Sequence, residues 1–351
     1  MVAVKQKKNE MNNWLITGGC GFIGTSLVKR LLREGDHYIR VFDNLSAGTR
    51  EDLCRICNYR ELTLDMLPSV VCHPPPGTVD LVIGDVRNAD SCIQAAWGMD
   101  IIVHLAANTG VEPSIKDPRH DLEANVFGTF NMLDAARMSK VKRFVFASSG
   151  APVGECTPPI HEELAPHPVS PYGASKLAGE GYCSAFYRAF GLETVSLRFG
   201  NVYGPGSGHK SSVVARFIRQ AMRDETCEIY GDGGQTRDFI YIDDLIEAIV
   251  LSASRNVAGE TFQIATSTER TVNEVAETIR SVLNEHDIPM AIEYSEPRTG
   301  DVQRNFSDTS KALNLLGWKV GTGFTDGIRK TVSWFLDQNT EDRGQRTGCD
   351  R

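Results

Sequence analysis

Two side chains with the spacing of a proton-relay pair stand near the middle of the chain. Tyr172 and Lys176 are four residues apart, so on a helix they share a face, with Cβ atoms about 5–6 Å apart. A cation beside a phenol favours the phenolate, which is a base. A free tyrosine titrates near about 10 and one pKa unit is worth about 1.4 kcal/mol, so basic function near neutrality requires about 4 kcal/mol of stabilisation. The Lys176 ammonium and a second cation beside the phenol would have the right charge to supply it.

A glycine-rich segment near the start of the chain has the pattern of a dinucleotide site. An apolar run at 14–17 precedes the glycines, and apolar residues at helical spacing follow them, so they stand between a strand and a helix. In that context they allow a tight turn, close approach of a pyrophosphate to amides at the helix N-terminus, and close packing of helix on strand. The residues expected to hold the cofactor here are Gly18, Gly21, Phe22, Ile23 and Gly24.

Polar residues after the next two apolar runs extend this site towards the adenosine half of a dinucleotide. Asp43 closes the second run, where its carboxylate can accept both ribose hydroxyls and would repel a 2′-phosphate, so NAD is favoured over NADP. Its neighbour Asn44 joins the candidate contacts, although an Asp-Asn pair also starts turns. Asp85 and Val86 follow the third run and are candidates for the adenine side, with a helix cap as the alternative for Asp85.

The composition excludes several classes of protein. With 351 residues and 41% hydrophobic content, the chain can bury one large core or two unequal ones. A formal net charge of −8 gives no basic field for nucleic acid or anionic lipid. Segment 1–13 lacks the apolar core of a secretory signal, and no apolar run approaches the ~18 residues of a membrane span. We therefore expect a cytoplasmic protein without a nucleic-acid or membrane partner.

The nine cysteines form an odd-numbered, scattered set, which is typical of free thiols rather than of a disulfide framework. One group, Cys54, Cys57 and Cys72 with His73, has a spacing compatible with zinc. The segment lacks a second clean pair of ligands, and apolar thiols near a helix end are common. We therefore predict no metal site.

Apolar runs and helical stretches alternate through the first half of the chain. The runs predicted to be strands are 14–17, 39–43, 81–85, 101–105 and 143–147. This alternation predicts an α/β fold with a Rossmann-like, doubly wound parallel sheet. Between 50 and 80 the pattern lapses into a segment with cysteines and prolines, which we interpret as a surface excursion.

The change of composition after Gly191 predicts a second unit. We expect an NAD-binding domain over 12–190, to which the chain returns around 237–260, and a smaller C-terminal α+β substrate-binding lobe over 191–337. That lobe includes a helix at 271–283. Segments 1–11 and 338–351 are polar and lack an apolar period, so we expect flexible tails.

Several motifs in a fixed order resemble those of one family. They lie at 17–24, 43–46, 104–107, 125–129, 148–149, 170–176, 198–205, 237–244 and 298–301. On these segments the chain is similar, from about Trp14 to Trp334, to the extended short-chain dehydrogenase/reductases of the NAD-dependent nucleotide-sugar epimerase and dehydratase group. Within that group it most resembles the UDP-glucose 4-epimerases.

The resemblance implies a role for each site residue. Tyr172 would be the base, Lys176 would bind the nicotinamide ribose and lower the pKa of the tyrosine, and Ser149 would hydrogen-bond the reacting sugar hydroxyl. Ser148 is adjacent, and either serine alternatively caps a turn. The remaining implied contacts are Leu105, Ala106, Ala107 and Asn125 for NAD, and Asn201, Arg237, Arg298 and Asp301 for the nucleotide diphosphate of the substrate.

The two residues after Ser149 bear on the reaction. Dehydratases and decarboxylases of the group carry acidic side chains there, whereas this chain has Gly150 and Ala151, which transfer no proton. The resemblance therefore implies C4 epimerisation of a UDP-hexose, in the glucose/galactose or N-acetyl series, through a transient 4-keto sugar. The alternatives are a nucleotide-sugar lyase (4,6-dehydratase or UDP-glucuronate decarboxylase), a UDP-glucuronate 4-epimerase, an oxidoreductase that releases NADH, and a non-catalytic nucleotide-binding scaffold.

Two further features concern the substrate and the assembly. Asn305 occupies the family's gatekeeper position, where a residue smaller than tyrosine suits N-acetylhexosamines. Asn201 and Gly208 stand where uronate 4-epimerases place threonine and arginine, which weighs against a carboxylated sugar. The resemblance also implies a homodimer, in which helices at about 121–139 and 172–190 pair with their copies.

Overall fold

The computed structural model of the protein describes residues 11–69, 74–297 and 302–344. In the first half the elements are β1 (Asn13–Thr17), α1 (Phe22–Glu34), β2 (Tyr38–Asp43), α2 (Arg50–Cys54), β3 (Arg60–Leu62), a 3₁₀ turn (Leu64–Ser69), β4 (Val79–Ile83), α3 (Ala89–Ala96), β5 (Ile101–His104), α4 (Val111–Lys116), α5 (Pro118–Asp121), a π-helical turn (Leu122–Phe127), α6 (Gly128–Met138), β6 (Arg143–Ser149) and α7 (Pro171–Phe190). The second half adds β7 (Glu193–Phe199), β8 (Asn201–Tyr203), α8 (Val213–Met222), β9 (Cys227–Tyr230), β10 (Thr236–Tyr241), α9 (Ile242–Ser254), β11 (Thr261–Ile264), β12 (Glu269–Thr271), α10 (Val272–Asn284), β13 (Ile292–Ser295), a π-helical turn (Ala312–Leu316) and α11 (Phe324–Gly344).

The largest sheet of the described residues has eight strands in the order β11-β7-β6-β5-β1-β2-β4-β3. Every pairing in it is parallel. The order reverses on either side of β1, which is the topology of a doubly wound sheet. The α/β, Rossmann-like fold predicted from the alternating pattern is confirmed.

The central strands are apolar on both faces because helices cover both faces of the sheet. In β1, Leu15 packs into one core, while Trp14 and Ile16 pack into the other. Successive side chains of a strand point to opposite faces, so a strand between two helical layers must be continuously apolar. Helix α1 covers one face with Leu27, Val28 and Leu31, the helical spacing seen in the sequence.

Smaller sheets build the C-terminal lobe. The strands β8, β10 and β12 form one sheet, in which β10 runs parallel to β8 and antiparallel to β12, and β9 pairs with β13. Helix α10 begins after Thr271, whose hydroxyl and the carboxylate of Glu274 form a capping box. The chain also returns to the main sheet, where β11 pairs with β7.

Two segments differ from the sequence-based expectation. The surface excursion at 50–80 contains α2 and the short edge strand β3, which pairs with β4. Strand β3 has only three residues, of which Arg60 and Glu61 are exposed and polar, so it gives no readable strand pattern. Helix α11 continues past Gln338 to Gly344, where we expected a tail. A terminal helical turn needs no apolar period when it extends an anchored helix, because propagation adds one hydrogen bond per residue.

Candidate functional site

The start of α7 fixes the Tyr172–Lys176 pair. Ser170 caps the helix by accepting a hydrogen bond from the Gly173 N–H (3.1 Å), and Pro171 occupies the first turn. The helix runs beside β6, and at Gly179 a Cβ atom would lie 2.4 Å from the Phe146 ring. Because glycine allows this close approach, the first two turns of α7 face the carboxyl end of β6.

Lys176 points into the protein. Its side chain is buried, and its Nζ donates to the Ala147 carbonyl (2.8 Å). The same atom lies 5.9 Å from the centroid of the Tyr172 ring, so the two side chains share a helix face as the spacing predicts. Burial lowers the pKa of Lys176 to about 8, while the carboxylates of Asp121 and Glu180 act in the opposite direction.

The pKa of the Tyr172 phenol is higher than we expected from the sequence. Burial raises its pKa to about 12; the hydroxyl of Ser149 opposes this shift and the Asp121 carboxylate adds to it. From the sequence we expected a pKa depressed by Lys176. In the structure the phenol is desolvated, and the carboxylates of Asp121 and Glu180 offset the charge of the lysine.

Three charged residues of this centre escaped the sequence analysis. Asp121 is fully buried and carries a carboxylate oxygen without a hydrogen-bond partner among the described residues. Glu180 accepts two hydrogen bonds from Arg198, at 2.9 and 2.8 Å. The sequence offered a signal for Glu180, which lies four residues after Lys176 and therefore on the same face of α7 as Tyr172 and Lys176.

The amide of Asn125 ties a loop to the helices. Its Oδ1 accepts from the Asn108 N–H (2.8 Å), and its Nδ2 lies within hydrogen-bonding distance of Asn108 O, Asp121 Oδ1 and Ser175 Oγ. It sits in the π-helical turn before α6. Irregular turns of this kind often occur at functional sites. Asn125 therefore holds the loop that follows β5, rather than standing alone as a cofactor contact.

The glycine segment fits a dinucleotide pyrophosphate. Gly18 has φ +66°, and a Cβ there would lie 2.8 Å from the Ala106 nitrogen; a Cβ at Gly24 would lie 2.5 Å from Gly18 O. The first helical hydrogen bond runs from the Thr25 N–H to Gly21 O (2.9 Å). The amides of Phe22 and Ile23 precede it, and such amides at a helix N-terminus bind anions.

Asp43 and Asp85 occupy different environments beside this glycine segment, which we call the pyrophosphate cradle (residues 18–24). The buried Asp43 carboxylate accepts from the backbone N–H groups of Cys20 (2.9 Å) and Leu45 (2.8 Å), and burial raises its pKa. Asp85 is held by Arg87 and by Asn44 Nδ2 (3.0 Å), and Arg87 lowers the pKa of Asp85 to about 2. The structure thus brings Asn44 and Asp85 together.

The loop after β5 closes the cradle from the other side. The N–H groups of Leu105 and Ala106 donate to Thr17 Oγ1, at 3.2 and 3.1 Å, and Ala107 follows. His104 lies below, with Nδ1 2.8 Å from the same hydroxyl. Burial, assisted by Lys176, lowers the pKa of His104 to about 3, so it is neutral. Val86 lies against Gly128, where a Cβ would be 2.7 Å from Val86 Cγ2.

A cavity of about 320 Å³ lies where the C-terminal lobe meets α4. Its lining includes Glu112, Asn201, Arg216, Tyr230, Gln235 and Arg237. Arg216 donates to Glu228 O (3.0 Å) and lies 5.5 Å from the centroid of the Tyr230 ring, while its Nε is buried without a partner among the described residues. The guanidinium group of Arg216 therefore forms part of the wall of the cavity.

The register of the main sheet places the cavity near the Tyr172–Lys176 pair. Ser149 is the register partner of Phe199, and Asn201 begins β8 two residues later. Arg237 donates to Thr236 O (2.7 Å) and Val302 O (2.6 Å). Two expected substrate contacts, Arg298 and Asp301, lie outside the described residues.

The described residues contain no group of three or more His, Cys, Asp or Glu side chains that could hold a metal ion.

The structure corrects one expectation about the cysteines. Cys54 is disulfide-bonded, whereas Cys57 is free. The expectation of free thiols is therefore wrong at Cys54, since an odd cysteine count argues against a framework but not against a single bridge. Cys72 and His73 lie outside the described residues, and no described helix is long and apolar enough to cross a membrane.

Comparison with known proteins defines the class. The chain belongs to the NAD-dependent epimerase/dehydratase family, which it matches over residues 14–265, and its cofactor is NAD. It is 33% identical to a UDP-glucose 4-epimerase of Mycolicibacterium smegmatis over 330 residues, covering 93% of this chain and 99% of that one.

Two further relatives mark the range of the family. A solved UDP-N-acetylglucosamine 4-epimerase from Methanobrevibacter ruminantium, in complex with UDP-N-acetylmuramic acid, superposes with a TM-score of 0.82 at 31% identity, covering 94% of this chain and 99% of that one. A dTDP-glucose 4,6-dehydratase of Neisseria meningitidis is 30% identical over 352 residues, covering 94% of this chain and 95% of that one. Nucleotide-sugar epimerases and dehydratases are thus both among its relatives.

Proposed function

We propose that the protein catalyses NAD-dependent C4 epimerisation of a UDP-hexose through a transient 4-keto sugar. The main support for epimerisation is the lack of an acidic or basic side chain at the two positions after Ser149. A Cβ at Gly150 would meet no described atom within 4 Å, and Ala151 follows, so the space contains no acid or base at these positions. Elimination of water needs such a group, whereas return of the hydride to the opposite face does not.

The chain's residues have distinct tasks in this reaction. Tyr172 takes the proton of the C4 hydroxyl, and Ser149 holds the same oxygen by a hydrogen bond. Lys176 binds the nicotinamide ribose and stabilises the phenolate. Bound NAD supplies the hydride acceptor and later the donor. Tyr172 returns the proton after the sugar has turned, so the cycle consumes no cofactor.

The cavity supports a UDP-sugar as the substrate. Arg216 brings a guanidinium group and Tyr230 an aromatic ring, which suit an oxygen-rich base and ribose. Asn201 and Arg237 line the same cavity, and we assign them, with Arg298 and Asp301, to the nucleotide diphosphate. The backbone N–H of Asn305 donates to Thr236 Oγ1 (3.3 Å). We assign Asn305 to the gatekeeper position, where a side chain smaller than tyrosine would admit an N-acetyl group.

The alternative is a nucleotide-sugar lyase, favoured by the similarity to a dTDP-glucose 4,6-dehydratase. The products separate the two readings. Incubation with UDP-glucose, UDP-N-acetylglucosamine and UDP-glucuronate, followed by NMR, would show C4 inversion for an epimerase and dehydrated or decarboxylated sugar for a lyase. Tyr172→Phe is the matched control, and inversion at the wild-type rate in that variant would refute the assigned base.

An exposed aromatic cluster supports a homodimer. Phe130 of α6 contacts Tyr182 and Phe186 of α7, with ring centroids 5.4 and 6.0 Å apart, and Phe190 packs edge to face against Phe186 at 5.0 Å. Phe130, Tyr182 and Phe190 are nevertheless exposed. A second copy of these helices would bury them. We propose that the enzyme works as a cytoplasmic homodimer, which sedimentation equilibrium would test.

A further inference from the structure

Three residues of α7 contact three successive residues at the end of β6. Tyr172 is paired with Ser149, Lys176 donates to Ala147 O (2.8 Å), and Glu180 accepts from Ser148 Oγ (2.5 Å). Residues four apart lie along one helix face, so the helix meets the strand end at three consecutive turns. The last of these contacts has no part in the proposed chemistry.

The Glu180 carboxylate is held firmly on both sides. Arg198, in β7, donates to both of its oxygens from Nε (2.9 Å) and Nη2 (2.8 Å), while Ser148 donates from β6. Both members of the ion pair are buried. A buried ion pair is often no more stable than an apolar pair of the same volume, so fold stability alone does not explain it.

We propose that Glu180 is a positioning residue for the reaction: it fixes Ser149 against Tyr172 through Ser148, and it holds the positive charge on Lys176. The inference rests on the proposed function, because it assumes that Ser149, Tyr172 and Lys176 act on the substrate. Ser148 and Ser149 are adjacent in β6, so the hydrogen bond that fixes Ser148 also fixes the position of Ser149 relative to Tyr172. A shift of about 1 Å in such a site lowers turnover by orders of magnitude.

The charge balance around Lys176 makes the second role measurable. The groups facing it are Asp121 from α5, His104 from β5, and Glu180 and Cys183 from α7. His104 is neutral, since its pKa is lowered to about 3, and Cys183 is a neutral thiol, since burial raises its pKa to about 12. Asp121 and Glu180 therefore supply the negative charge that opposes the desolvation of Lys176. Removing either charge lowers the pKa of Lys176, so the ammonium is lost at a lower pH.

A second buried carboxylate provides a matched control. Asp80 of β4 accepts from Arg60 Nε (2.8 Å) and Nη2 (3.0 Å) and from the Tyr38 hydroxyl (2.6 Å). It thus has the same donor set as Glu180: one bidentate arginine and one hydroxyl. In the sheet, β5, β1 and β2 separate β4 from β6. The Arg60 side chain is about half exposed, whereas Arg198 is buried. D80N therefore measures the effect of neutralising a buried, arginine-bound carboxylate that is remote from Lys176.

The test compares E180Q, S148A and D80N, each as the NAD-loaded full chain. One measurement is the pH profile of kcat for C4 inversion. The other is the titration of Lys176, followed by the Cε chemical shift in lysine-labelled protein and assigned with K176M. We expect E180Q to move the alkaline limb and the Lys176 midpoint down by about one pH unit. We expect S148A, which keeps the charge, to leave both unchanged while kcat falls about tenfold.

The outcomes test the charge role and the positioning role of Glu180 separately. An E180Q midpoint equal to that of the wild type, or an equal shift in D80N, would overturn the charge role. Wild-type kcat in S148A would overturn the positioning role, and because S148A removes only a hydroxyl, it remains informative if E180Q fails to fold. A wild-type protein that inverts no UDP-sugar would refute the proposed function, whereas the Lys176 titration would still decide the role of Glu180.

Discussion

Binding of NAD is expected to lower the pKa of Tyr172 by about three units. The starting value is about 12, so at pH 8 only about one molecule in ten thousand carries a phenolate. A positive charge within ~4–6 Å shifts a titrating group by about 1–3 units. The nicotinamide ring brings such a charge. Three units correspond to about 4 kcal/mol.

The assay is an ultraviolet titration of tyrosinate in protein stripped of NAD and in protein saturated with it. The chain has nine tyrosines, so the spectrum of Tyr172→Phe is subtracted from that of the wild type at each pH. The difference isolates one phenol, and we expect its midpoint to move from about 12 without NAD to about 9 with it.

Linkage gives an independent check. If NAD lowers the pKa of Tyr172 by three units, the phenolate form binds NAD about a thousandfold more tightly than the phenol form. The affinity for NAD should then rise about tenfold per pH unit between the two midpoints, and this rise should be absent in Tyr172→Phe. A midpoint that stays near 12 in the NAD-saturated protein, or a pH-independent affinity, would refute the reasoning.

Four further substitutions test other parts of the site. Asp43→Ala should reduce the preference for NAD over NADP at least tenfold in direct binding, and an unchanged preference would count against a ribose contact. Gly24→Ala places a Cβ 2.5 Å from Gly18 O, so the thermal midpoint should fall with a loss of about 1–3 kcal/mol, and wild-type stability would contradict the packing argument. Arg216→Ala should raise KM for the UDP-sugar about tenfold with kcat little changed; an unaltered KM would remove Arg216 from the nucleotide site. Phe190→Asp should yield monomers in sedimentation equilibrium, and a persistent dimer would place the interface elsewhere.

The sequence contained much of the fold and the central pair. Continuous apolar residues such as Trp14, Leu15 and Ile16 predicted a buried parallel strand, because helices on both faces leave no polar side. Tyr172 and Lys176 share one helix face, so their proximity followed from spacing alone. The glycines stood between strand and helix, and the structure places them where added Cβ atoms would collide with backbone.

The electrostatic environment was beyond the sequence. The pKa of Tyr172 depends on its burial and on Asp121, which is distant in sequence and reaches the site only because α5 packs on α7. The Glu180–Arg198 pair joins a helix to a strand that follows it. Such long-range contacts leave no local pattern in the sequence. For the same reason, the sequence did not indicate that Arg216 lines the cavity.

The late return of the chain to the main sheet bears on biosynthesis. Strand β11, at Thr261–Ile264, is the outermost partner of β7. Until those residues leave the ribosome, β7 is an edge strand with unpaired backbone N–H and C=O groups, which can pair with a strand of a neighbouring polypeptide. Slowed elongation before Thr261 should therefore increase aggregation of the unfinished product.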